Sequence, residues 1–292
     1  MSLFSDFKSS TKGVPVDEIV DLVFYRPLSY IVVKLVQPLP VKPNQLSFIA
    51  MSAGIASGVY FSLGTPVAFF LGGLFCFLAN IFDCSDGMLA RLKSEGSVTG
   101  RIIDGVVGHI MMLSIYTGLA IGLLRAGRAG LIDLPLSPLI LVGLAAFGHF
   151  VKAALADNFA SQYATHVLGR DCIPQLEIEF FGREMERLKE EGRWSFDRAI
   201  VGLYLAYTRF QLGPRPKPFI RYDAEEYKRH NHLLVMLWNL AGPSMHMFMI
   251  FISAMLFKPR IFLIYAVFLS SIWVLILVPI QALVNRKLKD QF

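Results

Sequence analysis

This sequence predicts an all-α, polytopic membrane protein: six transmembrane helices preceded by an N-terminal interfacial amphipathic helix. Three observations carry that prediction. Of the 292 residues, 54% are hydrophobic and only 17% charged, with a mean hydropathy of +0.53; a water-soluble domain usually carries more charge. Apolar runs of about 20 residues recur, long enough to cross a bilayer core of about 30 Å as helices. The runs are continuous rather than alternating, which argues against a β-barrel.

The N-terminal segment, 1–43, opens with a polar stretch that lacks the apolar region and small-residue cleavage site of a secretory signal. Residues 16–37 then mix Asp17, Glu18, Asp21, Arg26 and Lys34 with many apolar residues. That is too charged to span, so a helix lying in the interface is expected, interrupted at Pro27. Pro38, Pro40 and Pro43 end it, and Asn44 or Ser47 is expected to cap the first span. The spans fall at about 45–63, 66–90, 101–124, 137–160, 232–256 and 261–284. The first four make up a unit at 44–164, and the last two belong to 231–292.

Between those units, 165–230 is expected to be a cytosolic helical insert. Its stretch 177–193 reads as a charged helix, with Arg183/Arg187 and Glu186/Glu190 at i, i+4 spacing on a solvated face. A more apolar helix at 203–212 suits the membrane surface, and the Gly-Pro-Arg-Pro-Lys-Pro run at 213–218 breaks it. Basic residues set orientation. The N-terminal region, the loop with Arg91 and Lys93, the insert and the tail around Arg286 are expected on the cytosolic side, with both termini inside. Arg125 and Arg128 fall on the other side, against the rule.

The formal net charge is +6. In an apolar chain this reads as topology-setting flanks that meet anionic headgroups, not as a nucleic-acid surface. Cys76, Cys84 and Cys172 show neither disulfide nor zinc spacing.

The chemistry is concentrated at Asp83-x2-Asp86-Gly87-x2-Ala90-Arg91-x8-Gly100-x3-Asp104. A lone carboxylate inside hydrocarbon costs roughly 2.5–3.5 kcal/mol, and Arg91 can answer for only one. A divalent cation is the simplest partner for the rest. On a helix, Asp83, Asp86, Gly87, Ala90 and Arg91 form one stripe, and Gly100, Asp104 and Gly108 another. The short turn 93–96 makes the two helices antiparallel neighbours, so Asp83, Asp86 and Asp104 are expected to converge near the cytosolic surface. Oxygen-only ligands suit Mg²⁺ or Mn²⁺, one ion or two. Gly87, Ala90 and Gly100 remove side chains where a nucleotide or pyrophosphate would approach, or else allow close helix packing.

This pattern resembles the signature of the CDP-alcohol phosphotransferases, membrane enzymes of phospholipid synthesis, over roughly residues 16–160. Seven fixed positions match within 22 residues, and Pro43-Asn44-Gln45-Leu46-Ser47 is similar to the family's approach to its first span. The resemblance implies a six-helix homodimer in which Asp83, Asp86 and Asp104 hold metal and Gly87, Ala90, Arg91 and Gly100 contact a CDP moiety. An acceptor hydroxyl then attacks phosphorus and CMP leaves. It further implies a lipid donor such as CDP-diacylglycerol and an acceptor such as inositol, inositol phosphate or glycerol phosphate. A bacterial inner membrane with the site facing the cytoplasm is the expected setting.

One position departs from the pattern. The family's fourth aspartate, the usual general base, falls at Gly108, which can neither ligate nor take a proton. Asp104, His109 and His149 are the candidate catalytic residues in its place. Lys152, Asp157 and Arg170 make a candidate headgroup wall around the fourth span, although Lys152, His149 and Asp157 read equally as a neutralised structural cluster. Asn239, Ser244 and His246 read as interhelical hydrogen-bonding groups. Three functions stay open: the CDP-dependent transfer, a nucleotide-independent headgroup transfer such as inositol phosphorylceramide formation, and a catalytically silent lipid or nucleotide binder. An ion path is disfavoured, because the carboxylates gather at one end of two helices.

Overall fold

A computed structural model describes residues 3–11, 13–170, 172–190, 196–212 and 219–289. All regular structure among them is helical. Five helices are long and apolar enough to cross a membrane: Pro66–Lys93, Thr99–Arg128, Pro138–Leu168, Ala224–Met255 and Pro259–Leu288. The expected first span folds as a helix, α3 (Pro43–Ser62), but falls outside that apolar set. Ala50, Ala53, Gly54, Ser57 and Gly58 on its buried side dilute its hydropathy.

The N-terminal region holds a short helix, α1 (Leu3–Ser10), and a π-turn, Asp21–Tyr25, that runs straight into α2 (Arg26–Val36). The expected break at Pro27 does not occur. A proline ring clashes with the carbonyl one turn back in α geometry, and the wider π-turn before it relieves that clash. Phe24, Leu28, Ile31 and Leu35 line the exposed side of this helix, while Tyr25, Arg26, Ser29 and Val33 face inward.

The helix α4 (Pro66–Lys93) follows α3 through the Gly64-Thr65 turn, and α5 (Val98–Arg128) follows after Ser94 closes α4 in the left-handed conformation at φ 52°. The two were expected to be direct neighbours. Instead, α3 packs along both of them and α4 meets α5 only weakly. Small residues make this possible: a Cβ on Gly118 would sit 2.0 Å from the Gly58 carbonyl oxygen, and one on Gly122 would sit 1.9 Å from that of Phe61. The α3–α5 seam is therefore a glycine-to-backbone contact. Farther along, Asn44 faces Gly100 and Gly54 faces Met111, so α3 and α5 run parallel. The expected caps at Asn44 or Ser47 give way to Lys42, whose N–H donates to Gln45 Oε1 at 2.9 Å.

The fourth long helix, α6 (Pro138–Leu168), closes the apolar core around Phe61, Phe69, Ile115, Leu141 and Ile250. The insert forms a hairpin of α7 (Pro174–Glu190) and α8 (Phe196–Leu212). It is sealed by Phe181, Leu188, Val201 and Leu205 and docks on Ile102. Arg101 lies over the rings of Phe180 and Phe181. Arg187 bonds Glu184 at 2.7 Å, three residues away on the same helix. The expected breaker at 213–218 lies outside the described residues.

Two late spans are interrupted. One consists of α9 (Ala224–Trp238) and α10 (Pro243–Met255), broken by a 3₁₀ turn at Asn239–Ala241 ahead of Gly242 and Pro243. The other joins α11 (Pro259–Leu263) to α12 (Ser270–Lys289) through a π-turn, Ile264–Leu269. At the far end from the motif, Arg125 donates to the Ser62 carbonyl at 2.8 Å and Arg260 to that of Asp133. Both arginines thus cap loose carbonyls.

Candidate active site

Three elements meet where the motif lies: the first turns of α3, the last three turns of α4 and the first turns of α5. Carboxylate oxygens of Asp83, Asp86 and Asp104 all come within 4.8 Å of one another. Asp86 is the most buried, Asp83 is half-buried and Asp104 is exposed. Ser47 of α3 donates its hydroxyl to Asp86, so the intervening helix fixes one member of the trio. Ser97 caps α5 by accepting from the Gly100 N–H at 2.9 Å.

The trio fits a hard divalent cation. Its donors are three carboxylates from two helices, with no imidazole or thiolate among them. Unbalanced, three close negative charges would repel each other, and one cation relieves that.

The arginine of the motif folds back along α4. A Cβ on Gly87 would lie 3.4 Å from Arg91 NH2, so bare backbone lies beneath the guanidinium. Arg91 Nε donates to the Ser10 carbonyl at 2.6 Å, which ties the N-terminal segment to the motif helix. Gly100 is similarly hemmed in: a Cβ there would meet Asn44 Oδ1 at 2.9 Å. Nothing lies within 4 Å of a Cβ on Gly108 or on Gly105.

The remaining candidates scatter. His109 is exposed and bonds through Nδ1 to the Gly105 carbonyl of its own helix at 2.6 Å. His149 is 4% exposed and pairs with the Tyr116 hydroxyl at 2.9 Å, beside the His246 ring. Tyr116 is about 18 Å farther along α5 than Asp104 at 1.5 Å per residue, so the structure separates His149 from the carboxylates. The Lys152 ammonium donates to the Ala266 carbonyl of the π-turn at 2.6 Å and, at the start of α12, to Ser270 Oγ at 2.7 Å and Ser271 Oγ at 3.1 Å, which uses all three of its donors. Asp157 and Arg170 are exposed; Asp157 acts electrostatically on Glu177 of the insert, and Arg170 on Arg91.

Asn239 serves the N-terminal loop, donating to the Pro15 carbonyl at 2.7 Å and that of Asp17 at 3.2 Å. His246 bonds the Gly242 carbonyl of its own turn. The Ser244 and Met245 N–H groups both donate to Glu18 at 3.2 Å, an acidic cap for α10 supplied from outside the bundle. An open cavity of about 450 Å³ lies between the hairpin and the first turns of α3 and α5, lined by Asn44, Ser97, Thr99, Ile103, Arg187 and Asp197 among others.

Residues 40–170 match the model of the CDP-alcohol phosphatidyltransferase family, which suggests phospholipid headgroup transfer by a transferase of phosphorus-containing groups. No curated protein matches the chain.

Proposed function

We propose, from the CDP-alcohol phosphatidyltransferase match over residues 40–170, that this protein moves a phosphatidyl or phospho-alcohol group from a CDP-linked donor to a hydroxyl acceptor. The donor class is CDP-diacylglycerol and the acceptor class is inositol, inositol phosphate or glycerol phosphate. The observation that carries the reading is the closeness of Asp83, Asp86 and Asp104, within 4.8 Å, inside the matched segment. Homodimer assembly and a bacterial inner membrane with the site toward the cytoplasm belong to the same reading.

Each residue has a task. Asp83, Asp86 and Asp104 would hold Mg²⁺ or Mn²⁺, which when bound withdraws charge from phosphoryl oxygens. Ser47 keeps Asp86 in place. Arg91 holds a donor phosphate by charge-assisted hydrogen bonds. Gly87 and Ala90 leave room for the nucleotide, whereas Gly100 makes room for Asn44 of α3. Asp104, the most exposed carboxylate, accepts the proton of the acceptor hydroxyl. The acceptor oxygen forms its bond to phosphorus as the bond from phosphorus to CMP breaks, and CMP departs with the electron pair.

The test is turnover of labelled CDP-diacylglycerol with Mg²⁺ or Mn²⁺, read as CMP release. Release that depends on acceptor and disappears in Asp86→Asn is expected; no CMP with any acceptor would sink the reading. A second reading has its own observation, the missing side chain at Gly108. In it the same site transfers a headgroup from a phospholipid to a lipid alcohol without nucleotide. An inositol-bearing sphingolipid formed from phosphatidylinositol and ceramide alone would favour it over the first, whereas saturable binding with no product from either substrate pair would mark a silent binder.

A further inference from the structure

The arginine of the motif is held from outside the matched segment. Helix α1 ends at Ser10, which is fully buried, and the Ser10 carbonyl accepts from Arg91 Nε at 2.6 Å. A carbonyl in the last turn of a helix has no donor within that helix, and the negative end of the helix suits a cation. Side chains of α1 fix its place. Asp6 pairs with Lys34 of α2 at 2.8 Å, and the Phe7 ring meets the Tyr30 ring edge-on at 5.3 Å. Both rings pack on Val33, Leu46, Met88 and Leu89. Met88 and Leu89 lie between Gly87 and Ala90 of the motif, so α1 rests on the motif helix itself.

A guanidinium is planar and presents its N–H groups as a rigid fork. The bond from Nε therefore settles the plane of the Arg91 group and leaves its two terminal nitrogens. A Cβ on Gly87 would lie 3.4 and 3.5 Å from them, so they stand over bare backbone. They make no hydrogen bond among the described residues. Phosphate takes two parallel N–H groups from one edge of such a fork, and that edge is open here. A loose arginine loses rotamer freedom when it binds; one already held loses less.

We propose that α1 is a positioning element for Arg91: the Ser10 carbonyl holds Nε so that the outer edge of the guanidinium is ready for a phosphate of the nucleotide-linked donor. The role of that donor rests on the proposed transfer reaction, whereas the hold on Arg91 does not.

The experiment is calorimetric titration of the purified full chain with CDP in the presence of Mg²⁺, beside CMP release from CDP-diacylglycerol. Phe7→Ala loosens α1 and leaves the carboxylates and Arg91 unaltered. It is expected to weaken CDP binding about tenfold. The KM for CDP-diacylglycerol should rise to the same extent while kcat and the KM for the acceptor stay within about twofold, the mark of lost binding rather than lost chemistry. Lys34→Asp sets two carboxylates together and should act in the same direction. Combining it with Asp6→Lys restores the pair and should restore CDP affinity, which separates loss of this contact from general unfolding. In an Arg91→Lys background, which has no Nε, Phe7→Ala should add nothing. Unchanged CDP affinity in Phe7→Ala, a further loss in the Arg91→Lys background, or no saturable CDP binding overturns the proposal. CMP release with a CDP affinity indifferent to α1 leaves the transfer reaction standing and removes the positioning role. CDP affinity that follows α1 without any CMP release does the reverse.

Discussion

Ser47 reads in the sequence as a hydroxyl ahead of an apolar run, the pattern of a helix cap, yet it bonds Asp86 from 39 residues away. Periodicity reports which face of its own helix a residue occupies and not which distant side chain meets it. The carboxylates were legible for the opposite reason, because charge inside an apolar run demands a partner. Position 108 shows how far such reading reaches. The resemblance to the CDP-alcohol phosphotransferases reads Gly108 as a missing carboxylate, and in the structure a Cβ there meets nothing within 4 Å. Gly108 is one turn beyond Asp104 on the same face of α5. Gly108→Asp is therefore expected to fold and to tighten Mg²⁺ binding about tenfold, or ~1.4 kcal/mol. Calorimetric titration with Mg²⁺ checks this, and unchanged affinity would show that position 108 does not address the trio.

The continuous apolar runs located the long helices, although α6 runs on to Leu168 where 160 was expected and α9 begins at Ala224 where 232 was expected, while elements held by tertiary contacts were not legible. The π-turn before Pro27, the wedge of α3 between α4 and α5, and the latch of Glu18 on α10 all depend on partners far away in sequence. Burial and the Asp21 carboxylate beside it push Glu18 up to about 8 from 4.5. A folded state that holds this proton more tightly than the unfolded chain loses stability as pH rises between those two values. The melting temperature should fall from pH 5 to pH 8, and Glu18→Gln should flatten that fall while keeping one acceptor for the α10 N–H groups; an identical slope in the variant would exclude Glu18 as its source. The α3–α5 seam makes a second prediction. A methyl on Gly118 collides with backbone, so Gly118→Ala should destabilise by roughly 1–3 kcal/mol. Gly143→Ala on α6 meets nothing within 4 Å and should be neutral or stabilising by up to about 1 kcal/mol. Equal effects in thermal melts would mean that helix propensity, not close approach, governs both.

At the scale of the whole molecule the question is parity. Among the described residues five helices qualify as spans by length and apolarity, and five crossings would put the two ends of the chain on opposite sides. With α3 as a sixth, the ends share a side. The physical case for six lies in how the residues of α3 are distributed. Its 20 residues reach about 30 Å, the thickness of a bilayer core. Its small residues are spent on the seams with α4 and α5, and Phe48, Ile49, Ile55, Val59 and Leu63 point outward. Average hydropathy undervalues such a helix, because lipid meets only the outward face and that face is apolar. Single cysteines at Gln37, Leu63 and Arg286, in a chain with Cys76, Cys84 and Cys172 replaced, separate the two cases. A membrane-impermeant maleimide on sealed vesicles should label Gln37 and Arg286 from one side and Leu63 from the other. If Gln37 and Leu63 label together and Arg286 labels from the opposite side, α3 does not cross. Ser47 would then reach Asp86 from a helix that never leaves one side of the membrane, and the trio would lie at the edge of a five-span bundle.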